Sequence, residues 1–242
     1  MTKKLENKTA LITGGSRGLG LSVAKAYARE GAHVILVSRT RGALEEADDA
    51  IREVIASVGG SGGATLVPLN LTRFDKLDAL GPSLFDKFPH IDILVGNAGQ
   101  LGPLSPLDHI RNDDWQNILD INLTANWRLI RTIGPLLKRA EAGRAIFVTA
   151  GAAAGNKAYW GPYAASKAGL EALVKTYAAE CANTDIRVNL IDPGPLATNL
   201  RAKAYPGEDP ATLPSTDDPA DLFIKLASTE MIENGQLFKF EK

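Results

Sequence analysis

The chain has 242 residues, with 27 Lys and Arg against 28 Asp and Glu and a net charge of −1. That length points to one domain that can bury a large core without staples. The balanced charge lacks the basic excess that a nucleic-acid-binding surface needs, so no nucleic-acid partner is expected. The single cysteine, Cys181, excludes an intramolecular disulfide. His33, His90 and His109 show no metal-ligand spacing, so no metal site is expected.

The stretch Met1 to Lys8 is charged and has no apolar core, so it does not read as a signal peptide. The longest uncharged run, 54–72, holds Gly59, Gly60, Gly62, Gly63 and Pro68 and cannot be a membrane helix. A cytoplasmic protein with no membrane partner is the expectation.

In chain order, Lys8–Thr13 reads as a short apolar strand, Gly14–Gly20 as a glycine-rich turn, and Leu21–Glu30 as a helix ended by Gly31. His33–Val37 predicts a second strand, Ala43–Ser57 a charged amphipathic helix, and Gly59–Gly63 a loop. Thr65–Leu69 then predicts a strand, Phe74–Phe88 a helix, and Ile91–Val95 a strand. A long helix is expected over Asp113–Arg139, with a bend at Gly134-Pro135. Ala145–Thr149 predicts a strand, Tyr163–Ala182 a helix, Ile186–Ile191 a strand, Asp218–Ser228 a helix, and Gln236–Phe240 a last strand.

The strands are continuous apolar runs that alternate with helices. That is the pattern of a parallel sheet buried on both faces. The fold class predicted is therefore α/β: a doubly wound, seven-stranded parallel sheet of Rossmann type, in a single domain over 1–242. The proline-rich segment after the sixth strand sits at a carboxyl end of the sheet, where ligands bind in such folds. A substrate lid is expected at about 196–217.

Strand, glycine turn and helix together form a dinucleotide-binding arrangement. The turn admits the pyrophosphate close to the backbone, and the helix N-terminus favours its charge. The same stretch also spells G-x-S-x-G around Ser16, the pattern of a nucleophile elbow. Such an elbow normally follows several strands, and here one precedes it.

Five motifs follow one another along the chain: Thr13–Gly20 (TGGSRGLG), Gly96–Gly99 (GNAG), Asn122, Tyr163–Lys167 (YAASK), and Pro193-Gly194 followed by Thr198. In these the chain resembles the short-chain dehydrogenase/reductase family. The resemblance implies a nicotinamide cofactor, interconversion of alcohols and carbonyls, and a homotetramer or homodimer. It implies cofactor contacts at Gly14, Ser16, Arg17, Gly18, Leu19 and Gly20 in the turn. It implies others at Asn70 and Leu71 after the third strand, at Asn97, Ala98 and Gly99 after the fourth, and at Pro193, Gly194 and Thr198.

A carboxylate after the second strand would select NAD. Here Ser38 holds that place, Arg39 follows, and Arg17 lies in the turn. Two guanidiniums suit a ribose phosphate, so NADP(H) is expected. Tyr163 and Lys167, four apart, share one helix face. The ammonium is expected to lower the tyrosine pKa and make it the acid–base group. The resemblance further implies that Lys167 holds the nicotinamide ribose and that Asn122 anchors a water relay to it.

The family's usual serine position, counted back from Tyr163, falls on Ala150. A lost hydroxyl of this kind costs on the order of 10²–10³ in rate. Thr149 carries the adjacent hydroxyl, but strand neighbours point to opposite faces. Three accounts stand side by side: a serine-to-alanine variant, a slow enzyme using Thr149 or water, and a non-catalytic NADP-binding or sensing protein. Trp160, Leu101, Leu196 and Leu200 are the expected substrate walls, for a small to medium, partly apolar carbonyl compound.

Overall fold

The computed structural model describes residues 3–60, 62–155 and 157–241. Ser61, in the expected glycine loop, lies outside the described residues, as do Met1 and Thr2 of the N-terminal stretch. The strands are β1 (Thr9–Thr13), β2 (His33–Ser38), β3 (Gly63–Pro68), β4 (Ile93–Gly96), β5 (Arg144–Val148), β6 (Arg187–Asp192) and β7 (Leu237–Lys239). They form one sheet in the order β3-β2-β1-β4-β5-β6-β7, and each neighbouring pair runs parallel. The doubly wound sheet expected from the apolar runs is the one observed.

Alternate residues of the strands serve two cores, as the two-residue period requires. Ala10, Ile12, Val34, Leu36, Ile93 and Val95 pack on one face, with α1 (Gly18–Arg29), α2 (Arg41–Ser57) and α9 (Ala220–Ala227). Leu11, Ile35, Val37 and Leu94 pack on the other, with α6 (Ala125–Leu137) and α7 (Gly161–Glu180). Parallel strands buried on both faces cannot show an apolar–polar alternation, which is why they read as continuous runs.

Two helices depart from expectation. The single helix predicted over Phe74–Phe88 is instead α3 (Phe74–Asp78) and α4 (Leu80–Phe85). The break lies beside Gly81, where a Cβ would sit 2.0 Å from the Thr132 carbonyl oxygen. There Gly81 N–H donates to Thr132 Oγ1 at 2.9 Å, so α4 is held to α6 at backbone contact. The single helix predicted over Asp113–Arg139 is α5 (Asn112–Leu119), one π turn (Asp120–Thr124) and then α6. Pro135 lies inside α6, which ends two residues later, so the departure from regular helix sits at the π turn. Such turns recur at functional sites, and this one contains Asn122.

The sheet order reverses between β1 and β4, which opens a crevice at their carboxyl ends. After β6 the chain forms α8 (Asn199–Ala204) and a short 3₁₀ turn (Pro210–Thr212), and Ala197 N–H donates to Pro214 O at 2.9 Å.

Candidate active site

The crevice is built first by the glycine turn. Gly14 and Gly18 have φ of +66° and +53°, a region that favours glycine. At Gly20 a Cβ would lie 2.3 Å from the Gly14 carbonyl oxygen, so the start of α1 closes on the turn only without a side chain. Above Gly18 a Cβ would meet only Thr198 Cγ2, at 3.9 Å, so the turn faces open space with Thr198 across it. No side chain caps the N-terminus of α1, and no acidic residue lies in its first turn. Its free N–H groups suit a phosphate.

Asn97 fastens the opposite lip. Its Nδ2 donates to Thr13 O at 2.9 Å, while the N–H groups of Asn97 and Ala98 donate to Thr13 Oγ1 at 3.0 and 3.1 Å. The NAG segment, which forms no regular turn, is the clamp that joins β4 to the glycine turn. Ser16 Oγ and Ser38 Oγ share a hydrogen bond of 2.8 Å. The hydroxyl that a nucleophile elbow would direct at a histidine is bound to Ser38 instead. Arg17 and Arg39 are exposed, and among the described residues neither guanidinium has an ion-pair or hydrogen-bond partner.

Asn70 is exposed and does not cap the helix after it. Its Oδ1 accepts Thr72 N–H at 3.2 Å and the Thr72 hydroxyl at 3.1 Å. Leu19 and Leu71 turn their side chains into the cores, leaving only backbone for a ligand. Gly194 has φ +67°, and its N–H donates to Asp192 Oδ1 at 3.0 Å, behind the buried Pro193. Thr198 caps α8, its Oγ1 accepting Arg201 N–H at 3.2 Å.

The structure brings Tyr163, Lys167 and Asn122 together. Lys167 is buried in the first half of α7, and its Nζ donates to Val148 O at 2.7 Å. Asn122, fully buried, accepts Gln100 N–H at 2.8 Å and donates to Gln100 O and Ser166 Oγ, both at 2.9 Å. Ser166 in turn donates to Tyr163 O at 2.7 Å. A Cβ on Gly99 would lie 3.3 Å from Asn122 Oδ1 and 3.6 Å from Lys167 Nζ, so amide and ammonium meet over this glycine.

The expected lowering of the tyrosine pKa is corrected. Burial, with the carboxylate of Asp192 adding to it, pushes Tyr163 up to about 12. The Lys167 ammonium lies 5.8 Å from the Tyr163 ring centroid and is itself pushed down to about 8 by burial, against Asp192 and Glu171. In the protein alone desolvation outweighs the charge of the lysine.

Ala150 packs with Leu101, Trp160, Tyr163 and Leu200, joined by Ala152, Ala204 and Tyr205. Three of the four expected wall residues are therefore gathered around Tyr163. Leu196 is not: it is 4% exposed and belongs to the core that α1 and α9 cover. The Thr149 hydroxyl donates to Glu171 Oε1 at 2.8 Å. Thr149 therefore offers no free hydroxyl in place of the serine's. Ser166, Gln100 and Glu171 were missed in the sequence. Ser166 lies inside the YAASK motif, but Gln100 acts through its backbone and Glu171 through a contact between elements.

Fold and crevice define a nicotinamide-type Rossmann dehydrogenase architecture. The short chain dehydrogenase family model matches residues 8–209, and the chain belongs to that family. It is 32% identical over 222 residues to the uncharacterized oxidoreductase YciK of Escherichia coli, covering 92% of this chain and 86% of that one. It is 34% identical over 196 residues to a 3-oxoacyl-[acyl-carrier-protein] reductase of Synechocystis, covering 81% and 77%. A structure described as a short chain dehydrogenase from Pseudomonas syringae superposes with a TM-score of 0.93 at 32% identity, covering 99% of this chain and 96% of that one. One from Shigella flexneri, complexed with NADP, does so with a TM-score of 0.91 at 31% identity, covering 99% of each.

Proposed function

We propose that this protein is an NADP(H)-dependent oxidoreductase that interconverts a carbonyl compound and an alcohol. The observation that carries the reading is the buried trio of Tyr163, Lys167 and Asn122 beside a glycine cradle that only a backbone without side chains can form. The unpartnered Arg17 and Arg39, next to Ser38 in place of a carboxylate, support the phosphorylated cofactor. The NADP-complexed Shigella neighbour agrees with it.

In this reading the turn from Gly14 to Gly20 holds the pyrophosphate, and Asn70 and Asn97–Gly99 flank the adenosine. Pro193, Gly194 and Thr198 bound the nicotinamide side. The bound dinucleotide supplies or accepts the hydride at the carbonyl carbon. Tyr163 donates its phenolic proton to the carbonyl oxygen in reduction and takes it back in oxidation. Its raised pKa keeps that proton in place at neutral pH. Lys167 binds the nicotinamide ribose, and Asn122, beside it at Gly99, anchors the relay that returns the proton. Ala150 leaves the carbonyl oxygen one donor short, which slows turnover.

The segment at about 196–217 serves as a substrate lid, with Leu200 and Tyr205 facing the pocket. Ala165, Ala168, Ala172 and Ala179 lie exposed along α7, which suits close packing against a second copy in a homotetramer or homodimer. Among the described residues no helix is long and apolar enough to cross a membrane, which is compatible with a cytoplasmic location.

The test is NADPH consumption against a panel of ketones and aldehydes, for the protein and for Ala150→Ser. Consumption in either, stronger in the serine variant, supports the reading. Tight NADPH binding with no turnover in both supports the second reading, a non-catalytic NADP-binding or sensing protein. Ala150 and the engaged Thr149 hydroxyl favour that second reading.

A further inference from the structure

Beside the apolar cluster around Tyr163 stands a cation that no carboxylate among the described residues neutralises. Lys157 Nζ lies 4.8 Å from the Trp160 ring centroid and 4.2 Å from that of Tyr205, and it donates to the Tyr205 hydroxyl. Trp160 stands edge-on to Tyr163 with 5.9 Å between ring centroids. One aromatic side chain therefore separates the ammonium from the proposed proton donor. Among the described residues Lys157 has no carboxylate partner.

The neighbouring cation is already satisfied. Arg201 stacks on Tyr205 with 3.7 Å to the ring centroid, but two hydrogen bonds of 2.6 Å tie its guanidinium to Glu208. The wall around Tyr163 is apolar: Leu101, Ala150, Ala152 and Leu200. At β6 the field has the opposite sign. There the Asp192 carboxylate acts on Tyr163, and its Oδ2 lies 3.6 Å from where a Cβ of Gly151 would stand.

A substrate seated against this apolar cluster would meet Lys157 on one side and the field of Asp192 on the other, which orients a molecule that has an apolar body and one anionic end. A single ammonium matches a single negative charge. A phosphate would call for the guanidinium fork, and Glu208 fills that fork. The two aromatic faces hold the ammonium in place by cation–π attraction, while the lysine side chain stays exposed at the rim.

We propose that the pocket takes carboxylate-bearing carbonyl compounds, with Lys157 receiving the carboxylate while Tyr163 meets the carbonyl oxygen. The inference rests on the oxidoreductase reading and adds the substrate class. On binding, Lys157 exchanges the neutral Tyr205 hydroxyl for a charged acceptor, a stronger hydrogen bond.

The probes are a graded series of straight-chain ω-carboxy methyl ketones, each beside its methyl ester. For at least one chain length, kcat/KM with NADPH should favour the acid over its ester by about tenfold or more. In Lys157→Met that ratio should fall to near one, and in Lys157→Arg it should return. Equal rates for acid and ester at every length overturn the proposal. So does a preference that survives Lys157→Met.

If no member of the series is reduced even by Ala150→Ser, the oxidoreductase reading falls for these compounds, and substrate binding decides the proposal separately. Quenching of Trp160 fluorescence, assigned by its loss in Trp160→Phe, should then titrate at lower concentration with the acid than with the ester. The absence of that difference overturns the assignment of Lys157. If the methionine variant fails to fold, the acid-to-ester ratio of the unaltered protein still decides.

Discussion

Thr149 Oγ1 donates to Glu171 Oε1 at 2.8 Å, and this bond turns the hydroxyl of Ala150's sequence neighbour toward α7. Ala150 itself packs with Trp160 and Tyr163. On the proposed mechanism, Ala150→Ser places a donor beside the carbonyl oxygen and should raise kcat at least about tenfold and up to the 10²–10³ that such donors contribute. NADPH affinity should stay nearly constant. Steady-state kinetics and a cofactor titration on the two proteins check this. Thr149→Val should leave turnover close to that of the parent and lower stability by about 1–2 kcal/mol, because Glu171 loses a partly buried partner.

The pH dependence of stability follows from the two shifted groups. Lys167 falls from 10.5 to about 8 on folding, so between these values the unfolded chain binds more protons and stability rises with pH. Tyr163 rises from 10.0 to about 12, so its contribution is complete below pH 10 and is lost as pH climbs through 12. Urea midpoints measured from pH 7 upward should therefore climb above about pH 8 and drop at the alkaline end. Lys167→Met should flatten the climb, and Tyr163→Phe should remove the component of the drop that belongs to the phenol. Both variants should lose catalysis.

Arg17 and Arg39 test the choice of cofactor. Arg39→Ala should weaken NADPH binding by about ten- to a hundredfold, the worth of charge-assisted hydrogen bonds to a phosphate. Binding of NADH should change little. Ser38→Asp should move the preference toward NADH, because a carboxylate there repels the phosphate and accepts from ribose hydroxyls. Dissociation constants for both dinucleotides in the variants decide it.

Gly20→Ala probes the cradle. The added Cβ would meet the Gly14 carbonyl oxygen at 2.3 Å, and neither backbone can yield. The variant should lose about 2 kcal/mol or more of stability and most of its dinucleotide affinity. Thermal melts with and without NADPH measure both effects. Gly42→Ala, in α2 where a Cβ meets nothing within 4 Å, is the control that should leave dinucleotide affinity unchanged and raise stability slightly.

Much of this molecule is determined by short-range information in the chain. Runs such as HVILV and AIFVT can only be strands buried on both faces, so all seven strands fall within a residue or two of their expected places. The turn TGGSRGLG and the pair Tyr163 and Lys167 are equally legible, because glycine spacing and a four-residue helical interval are local properties. What depends on contact between distant segments was decided only in three dimensions. The split between α3 and α4 follows from Thr132, far along the chain, and the commitment of Thr149 follows from Glu171. Leu196 looked like a substrate wall and belongs to the core, while Lys157 carried no pattern and lies over Trp160 beside the Tyr163 cluster. The tyrosine pKa shows the same division. Its neighbour in sequence suggested a lowering, but desolvation, which depends on everything packed around it, raises it instead.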